Sequence, residues 1–330
     1  MKFFPPLIFF ILIVSSYNVV EEKSIVVDGI DDAAHFKYYE NESHIIHWYE
    51  WWYANLKDGE DGIIVMFFTF GNLNSFFGRA VGVFAALLNE NESIESLQIS
   101  PFIPFSLDYK KCNVSIGKSR FYEENGAFFV EYEGKNMHIS MKMKNRGKAY
   151  GSIAPLEGWQ WAGWYVALPY GEGEAWVEYK GREWHIKGNA YHDHNWGMRK
   201  LGRFKWDWGE FNANNFSIIY GIAGSREMKG GLHFINESCH IFIPYGKLKM
   251  EYEEWQRISL VKKPTKIHFY GGNGSISADF MVEMKKFYTL GYGKVGKPYL
   301  LGSARGYVEI NGKRMNFDST GFYEHHGRFE

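Results

Sequence analysis

The chain has 330 residues, enough for one large β domain or two medium ones with a sizeable core. Its 37 basic and 38 acidic residues leave a net charge of −1, so no global basic field exists to hold a nucleic-acid backbone. Hydrophobic residues reach 45%, with 27 Phe, 12 Trp and 22 Tyr, which excludes disorder, collagen, a coiled coil and a polytopic membrane protein and points to an aromatic-rich β protein.

At the start of the chain, Met1-Lys2 precedes an apolar run over residues 7–14. The run is shorter than the roughly 20 residues a spanning helix needs. With Ser15-Ser16 following, residues 1–20 read as a secretory signal peptide, against the rival of an uncleaved anchor extended through Val19-Val20. Six N-x-[ST] sequons, at Asn41, Asn91, Asn113, Asn215, Asn236 and Asn273, exceed the number chance provides and favour an extracytoplasmic glycoprotein, secreted or on the outer face of a membrane. Cys112 and Cys239 either form one disulfide or stay reduced, and two cysteines cannot hold a metal cluster alone.

From there on the pattern has period two. Met137, Ile139, Met141 and Met143 alternate with His138, Ser140, Lys142 and Lys144, as in a half-buried strand. Asn125-Gly126 and Asn311-Gly312 sit between alternating runs and predict hairpins. Further strands are expected at 63–70, 81–88, 164–168, 175–179, 204–210, 216–220, 266–270 and 278–284, and short helices at 72–80 and 251–257. The strand count approaches twenty, more than one barrel needs, so two packed β units follow. The least strand-like middle stretch, 188–202, takes the boundary, giving an N-terminal unit over 21–196 and a C-terminal unit over 197–330. Gly291, Gly293 and Gly296 lack the strand-to-helix context of a dinucleotide loop and read as a plain loop; nothing else calls for a cofactor.

The densest chemistry is Tyr191-His192-Asp193-His194-Asn195-Trp196-Gly197. Extended, it puts His192, His194 and Trp196 on one face and Tyr191, Asp193 and Asn195 on the other. Trp206, Trp208 and Glu210 likewise share a face opposite Asp207, and residues 47–53, with Glu50, Trp51 and Trp52, form a third cluster. Three readings compete. His-x-His on a strand offers two metal ligands that His185, His233 or a carboxylate could complete, but a third ligand at diagnostic spacing is missing, so no metal set is assigned. A carboxylic acid among indoles would hold its proton near neutrality and let Trp faces stabilise a developing cation. The third is a purely structural network pinning the joint between two β units.

Glu50-Trp51-Trp52-Tyr53, residues 191–197, Gly306-Tyr307-Val308-Glu309 and Gly321-Phe322-Tyr323-Glu324 together resemble the carotenoid 1,2-hydratase/AttH family, which includes the hydroxyneurosporene synthase-type hydratases. Tocopherol cyclases and decalin-forming Diels–Alderases are similar in architecture. The resemblance spans nearly all of residues 40–326. It implies an all-β fold of two lipocalin-like antiparallel barrels packed together, and a cofactor-free enzyme that hydrates or cyclises a C=C bond of a long apolar, isoprenoid-like substrate. His194 and Trp196 match the central motif, and Tyr220 the family's second-motif tyrosine. Where the hydratases carry an acid two positions later this chain reads Ile222, so Asp193, Asp207 or Glu210 would have to supply the proton.

The expectation is therefore a site with His194, Asp193 and Tyr220 as catalytic groups. Its walls would be His192, Trp196, Trp206, Trp208, Glu210, Trp51 and Trp52, around a hydrophobic small molecule or lipid, with peripheral membrane association as a further option and no nucleic acid. A non-catalytic extracytoplasmic carrier of lipids or isoprenoids is the alternative.

Overall fold

The computed structural model describes residues 31–89, 92–200, 205–213, 215–224, 228–258, 261–290 and 297–327. The expected signal segment, the sequon at Asn91 and the loop 291–296 lie outside them. After a one-turn helix α1 (Phe36–Tyr39), the first sheet collects β1 (Trp48–Asp58), β2 (Asp61–Phe70), β3 (Ala80–Leu88), β4 (Ser93–Ser100), β5 (Phe105–Leu107) and β6 (Asn113–Ile116). It continues with β7 (Ser119–Glu124), β8 (Ala127–Glu133), β9 (Met137–Asn145), β10 (Tyr150–Pro155), β11 (Trp161–Tyr179) and β12 (Arg182–Met198). The second holds β13 (Lys205–Asn212), β14 (Ser217–Gly224), β15 (Met228–Ile235), β16 (His240–Pro244), β17 (Leu248–Ile258), β18 (Val261–Asn273), β19 (Ile276–Leu290), β20 (Lys297–Ile310) and β21 (Lys313–His326).

The strand order is β4-β3-β2-β1-β12-β11-β9-β8-β7-β6-β5, with β10 on β11, in the first sheet and β16-β15-β14-β13-β21-β20-β19-β18-β17 in the second. Each sheet curls around its own apolar interior, the two-barrel, lipocalin-like, all-β architecture. A third apolar layer, drawn from both sheets, lies in the seam between them.

The hairpins form as their turn chemistry requires. Asn125-Gly126 and Asn311-Gly312 both have positive φ at both residues, the conformation a two-residue hairpin turn favours. Met137, Ile139, Met141 and Met143 are all buried in the first barrel. Several local expectations fail. Residues 188–198 are strand, the second half of β12, although they looked least strand-like; from Ala190 on both faces are buried, so polar and aromatic residues replace the usual alternation. The segments expected at 164–168 and 175–179 are one 19-residue strand, bent by register shifts around Leu168. No helix forms at 72–80, and 251–257 belongs to β17, an edge strand whose outward exposure hides its period. Both cysteines are free. Among the described residues no helix is long and apolar enough to cross a membrane.

Candidate functional site

β1 and β12 lie side by side in the first sheet, with Trp52 opposite His194, Ala54 opposite His192, and Tyr53 opposite Asp193. Both strands are buried on both faces over this stretch, so successive residues enter different compartments. Trp48, Trp52, Ala54 and Trp196 join the interior of the first barrel, while Tyr49, Trp51, Tyr53 and Tyr191 join the seam.

On the barrel face the imidazoles are clamped. His192 donates from Nδ1 to the Tyr53 carbonyl at 2.8 Å and sets Nε2 2.8 Å from Asp32 Oδ2. His194 faces the Asp31 carbonyl with Nδ1 and Glu50 Oε1 with Nε2, each at 3.2 Å. A carbonyl oxygen only accepts, so Nδ1 carries hydrogen in both rings. Trp52 stacks on His194 with centroids 4.4 Å apart and donates its indole N–H to the Asp32 carbonyl at 3.1 Å. His35 stacks on Trp196 at 3.9 Å, its backbone N–H donates to Glu50 Oε1 at 2.6 Å, and its Nδ1 lies 3.4 Å from the same oxygen. The segment from Asp32 to Phe36 thus packs against the first barrel, with Ala33, Ala34 and Phe36 buried.

Burial opposes every charge in this cluster, and the partners decide the outcome. Burial would raise the Asp32 carboxyl, but the charge and hydrogen bond of His192 hold it below its usual value, and Asp32 in turn raises His192. Glu50 is likewise lowered by His194 and His35 against its own burial, whereas burial wins at His194 and lowers it. Two triplets here bring ligand atoms within 4.8 Å of one another, Asp32–Cys112–His192 and His35–Glu50–His194. Burial lifts the Cys112 thiol well above its ordinary value, with the Asp32 charge adding to it.

On the seam face Asp193 is held by neutral donors only. Its Oδ2 accepts from the Trp164 indole at 3.0 Å and the Tyr191 hydroxyl at 2.8 Å, and its Oδ1 from Asn195 Nδ2 at 3.0 Å. Burial pushes the carboxyl up to about 6 although these hydrogen bonds pull it down. Glu210, in the same layer, is instead held by a cation: Lys57 Nζ lies 2.6 and 2.7 Å from its two oxygens. Asn55 donates to Glu210 Oε1 at 3.2 Å and to the Tyr53 hydroxyl at 3.0 Å, and Tyr53 pairs with the Tyr299 hydroxyl of the second sheet. Trp51, Trp206 and Trp208 line the layer. The indole nitrogens of Trp51 and Trp208 and the hydroxyls of Tyr49 and Tyr150 are buried there without a hydrogen-bond partner.

Tyr220 lies elsewhere. It points into the second barrel against Phe269 at 4.6 Å, its ring over Gly209, where a Cβ would approach Cε1 to 2.5 Å. The expected residues therefore divide three ways. Asp193, Glu210, Trp51, Trp206 and Trp208 share the seam. His192, His194, Trp196 and Trp52 face the first barrel. Asp193 and His194 are not brought together, because adjacent residues on a strand point to opposite sides. Sequence reasoning missed Asp32 and His35, which precede the first strand in no motif, and Tyr299. It also passed over Asn55 and Lys57, although both keep the parity of Trp51, and a lysine on a buried face demands a carboxylate.

No protein-family model and no curated protein matches the sequence. Solved structures do. A putative AttH from Nitrosomonas europaea covers 84% of this chain and 92% of its own at 12% identity and a TM-score of 0.60. CghA with Sch210972 covers 84% and 88% at 10% identity and 0.61, and kievitone hydratase from Nectria haematococca 84% and 88% at 14% identity and 0.59. The chain shares with an AttH-like protein, CghA and a hydratase one fold over most of its length.

Proposed function

We propose that the protein is an enzyme that binds a long apolar, isoprenoid-like molecule in the seam and hydrates or cyclises one of its C=C bonds, with Asp193 as proton donor. The observation that carries the reading is the contrast inside one buried layer: Glu210 is tied to the Lys57 ammonium, whereas Asp193 is held by neutral donors among indole and phenol rings. In hydration the Asp193 proton goes to the less substituted alkene carbon and leaves a tertiary cation. Trp208, in the same aromatic layer, would stabilise that charge through its ring face. Water adds to the cation and returns its surplus proton to the carboxylate; in cyclisation a second C=C replaces water as nucleophile and loss of a neighbouring proton closes the cycle. The partnerless N–H and O–H groups of the seam suit the oxygen functions of a substrate or the attacking water. The hydratase on the same fold is in keeping with this chemistry. An extracytoplasmic setting belongs to the same proposal, supported by the leader-like start and by exposed sequons at Asn41 and Asn215.

The test is to incubate the purified chain with prenyl-chain polyenes and analyse the solvent extract by mass spectrometry. A product heavier by one water, or an isomeric cyclic product, is expected, with Asp193→Asn losing on the order of 100-fold or more of the rate while keeping its circular dichroism. Undiminished turnover in that variant removes Asp193 from the mechanism. An unmodified lipid extracted from both proteins, with no product, establishes a carrier instead.

A further inference from the structure

The second face of the same two strands carries a different constellation. His35, Glu50 and His194 come from three separate places in the sequence, and all three side chains are almost completely buried, at 2%, 0% and 0% exposure. His194 Nε2 and His35 Nδ1 stand 3.2 and 3.4 Å from the same oxygen, Glu50 Oε1. Bonds of about 2.0–2.1 Å to a tetrahedral zinc ion place neighbouring ligand atoms about 3.3 Å apart, so both separations match edges of such a tetrahedron.

Two further observations point to an ion. Glu50 Oε2 is buried without a hydrogen-bond partner, an expensive condition for a carboxylate oxygen unless a cation satisfies the group. His194 is oriented as ligating imidazoles are: its Nδ1 faces a backbone carbonyl, that of Asp31, which fixes the tautomer and turns the Nε2 lone pair toward Glu50. Trp52 and Trp196 cover the rings of His194 and His35 and lock their planes.

We propose that His35, Glu50 and His194 form a divalent transition-metal site, zinc being an ion that the two separations to Glu50 fit. Two imidazoles and one carboxylate leave a fourth position open. The site fastens the segment before β1 to the barrel wall, since His35 belongs to that segment and Glu50 and His194 to β1 and β12. It replaces the expectation of no metal: the His-x-His element contributes one histidine, not two, and the remaining ligands lie 144 and 159 positions upstream of His194. The site is separate from the seam, so its test does not depend on the proposed reaction.

The experiment strips the full chain with a chelator, dialyses it against Zn²⁺ or Co²⁺ alone and counts bound metal by elemental analysis. One equivalent per chain is expected, with a raised melting temperature. Co²⁺ should give the visible absorption of a four-coordinate nitrogen/oxygen site without a thiolate charge-transfer band. His35→Gln, Glu50→Gln and His194→Gln should each lower the bound metal to background, whereas Asp193→Asn and Cys112→Ser should keep the full equivalent. No metal retained by the wild-type chain, an equivalent retained in all three ligand variants, or a thiolate band abolished by Cys112→Ser overturns the proposal. If a variant does not fold, a wild-type chain without the four-coordinate cobalt spectrum still overturns the proposal.

Discussion

Lys57 and Glu210 meet across the seam with 3% and 0% of their surfaces exposed, and each holds the other's charge where water cannot. Burial draws Lys57 down and Glu210 up, and their mutual attraction resists it. Removing one partner leaves a charge without compensation. Glu210→Gln should therefore cost about 3–5 kcal/mol in urea unfolding, and the double variant Lys57→Met/Glu210→Leu should recover most of that loss. A loss no smaller in the double variant would mean that packing, not charge, limits the site. The parity of Lys57 in the first strand announces a buried cation, but its partner stands 153 positions away and only the docked sheets reveal it.

Among the elements, β11 and β12 show how a strand pair accommodates a large ring. Gly163 lies directly opposite Trp196, and a Cβ on it would come within 2.3 Å of the indole Cε2. Gly209 opposite Tyr220 repeats the arrangement in the second barrel. A methyl group at position 163 must displace an indole that itself supports His35. Gly163→Ala should thus destabilise the chain by about 1–3 kcal/mol, read from the denaturation midpoint, whereas Gly126→Ala, with open space around its Cβ, costs only its backbone strain. Equal effects at the two positions would show that the indole yields freely. The strands themselves were legible from alternation, and both hairpins from Asn-Gly. The second half of β12 was not, because a strand covered on both faces needs no alternation.

At the scale of the whole molecule the two sheets are joined partly through His233 of β15. It stacks on Tyr150 of β10 at 4.5 Å, meets Trp164 edge-on and is hydrogen-bonded through Nδ1 to His240 Nε2 at 2.8 Å. Burial, with the His240 charge adding to it, holds His233 well below its ordinary value. The folded chain keeps this ring neutral while the unfolded chain protonates it near 6.5, so its linkage costs stability as pH falls below that value. Wild-type stability should drop relative to His233→Gln by about 1 kcal/mol per pH unit between pH 6.5 and 5.5. Parallel pH profiles for the two proteins would exclude His233 as the cause.

By itself the sequence determined the β class, a strand count near twenty and the Asn-Gly hairpin turns, since alternation and turn chemistry are properties of the local backbone. It put Asp193 and His194 on opposite faces only on the condition that residues 191–197 are extended, and the expected site still joined them. What each side looks into was decided only by the tertiary structure. The seam, the two interiors and the partners Asp32, His35, Lys57 and Tyr299 arise where sheets curl and dock, joining residues more than a hundred positions apart by contacts that no local pattern encodes.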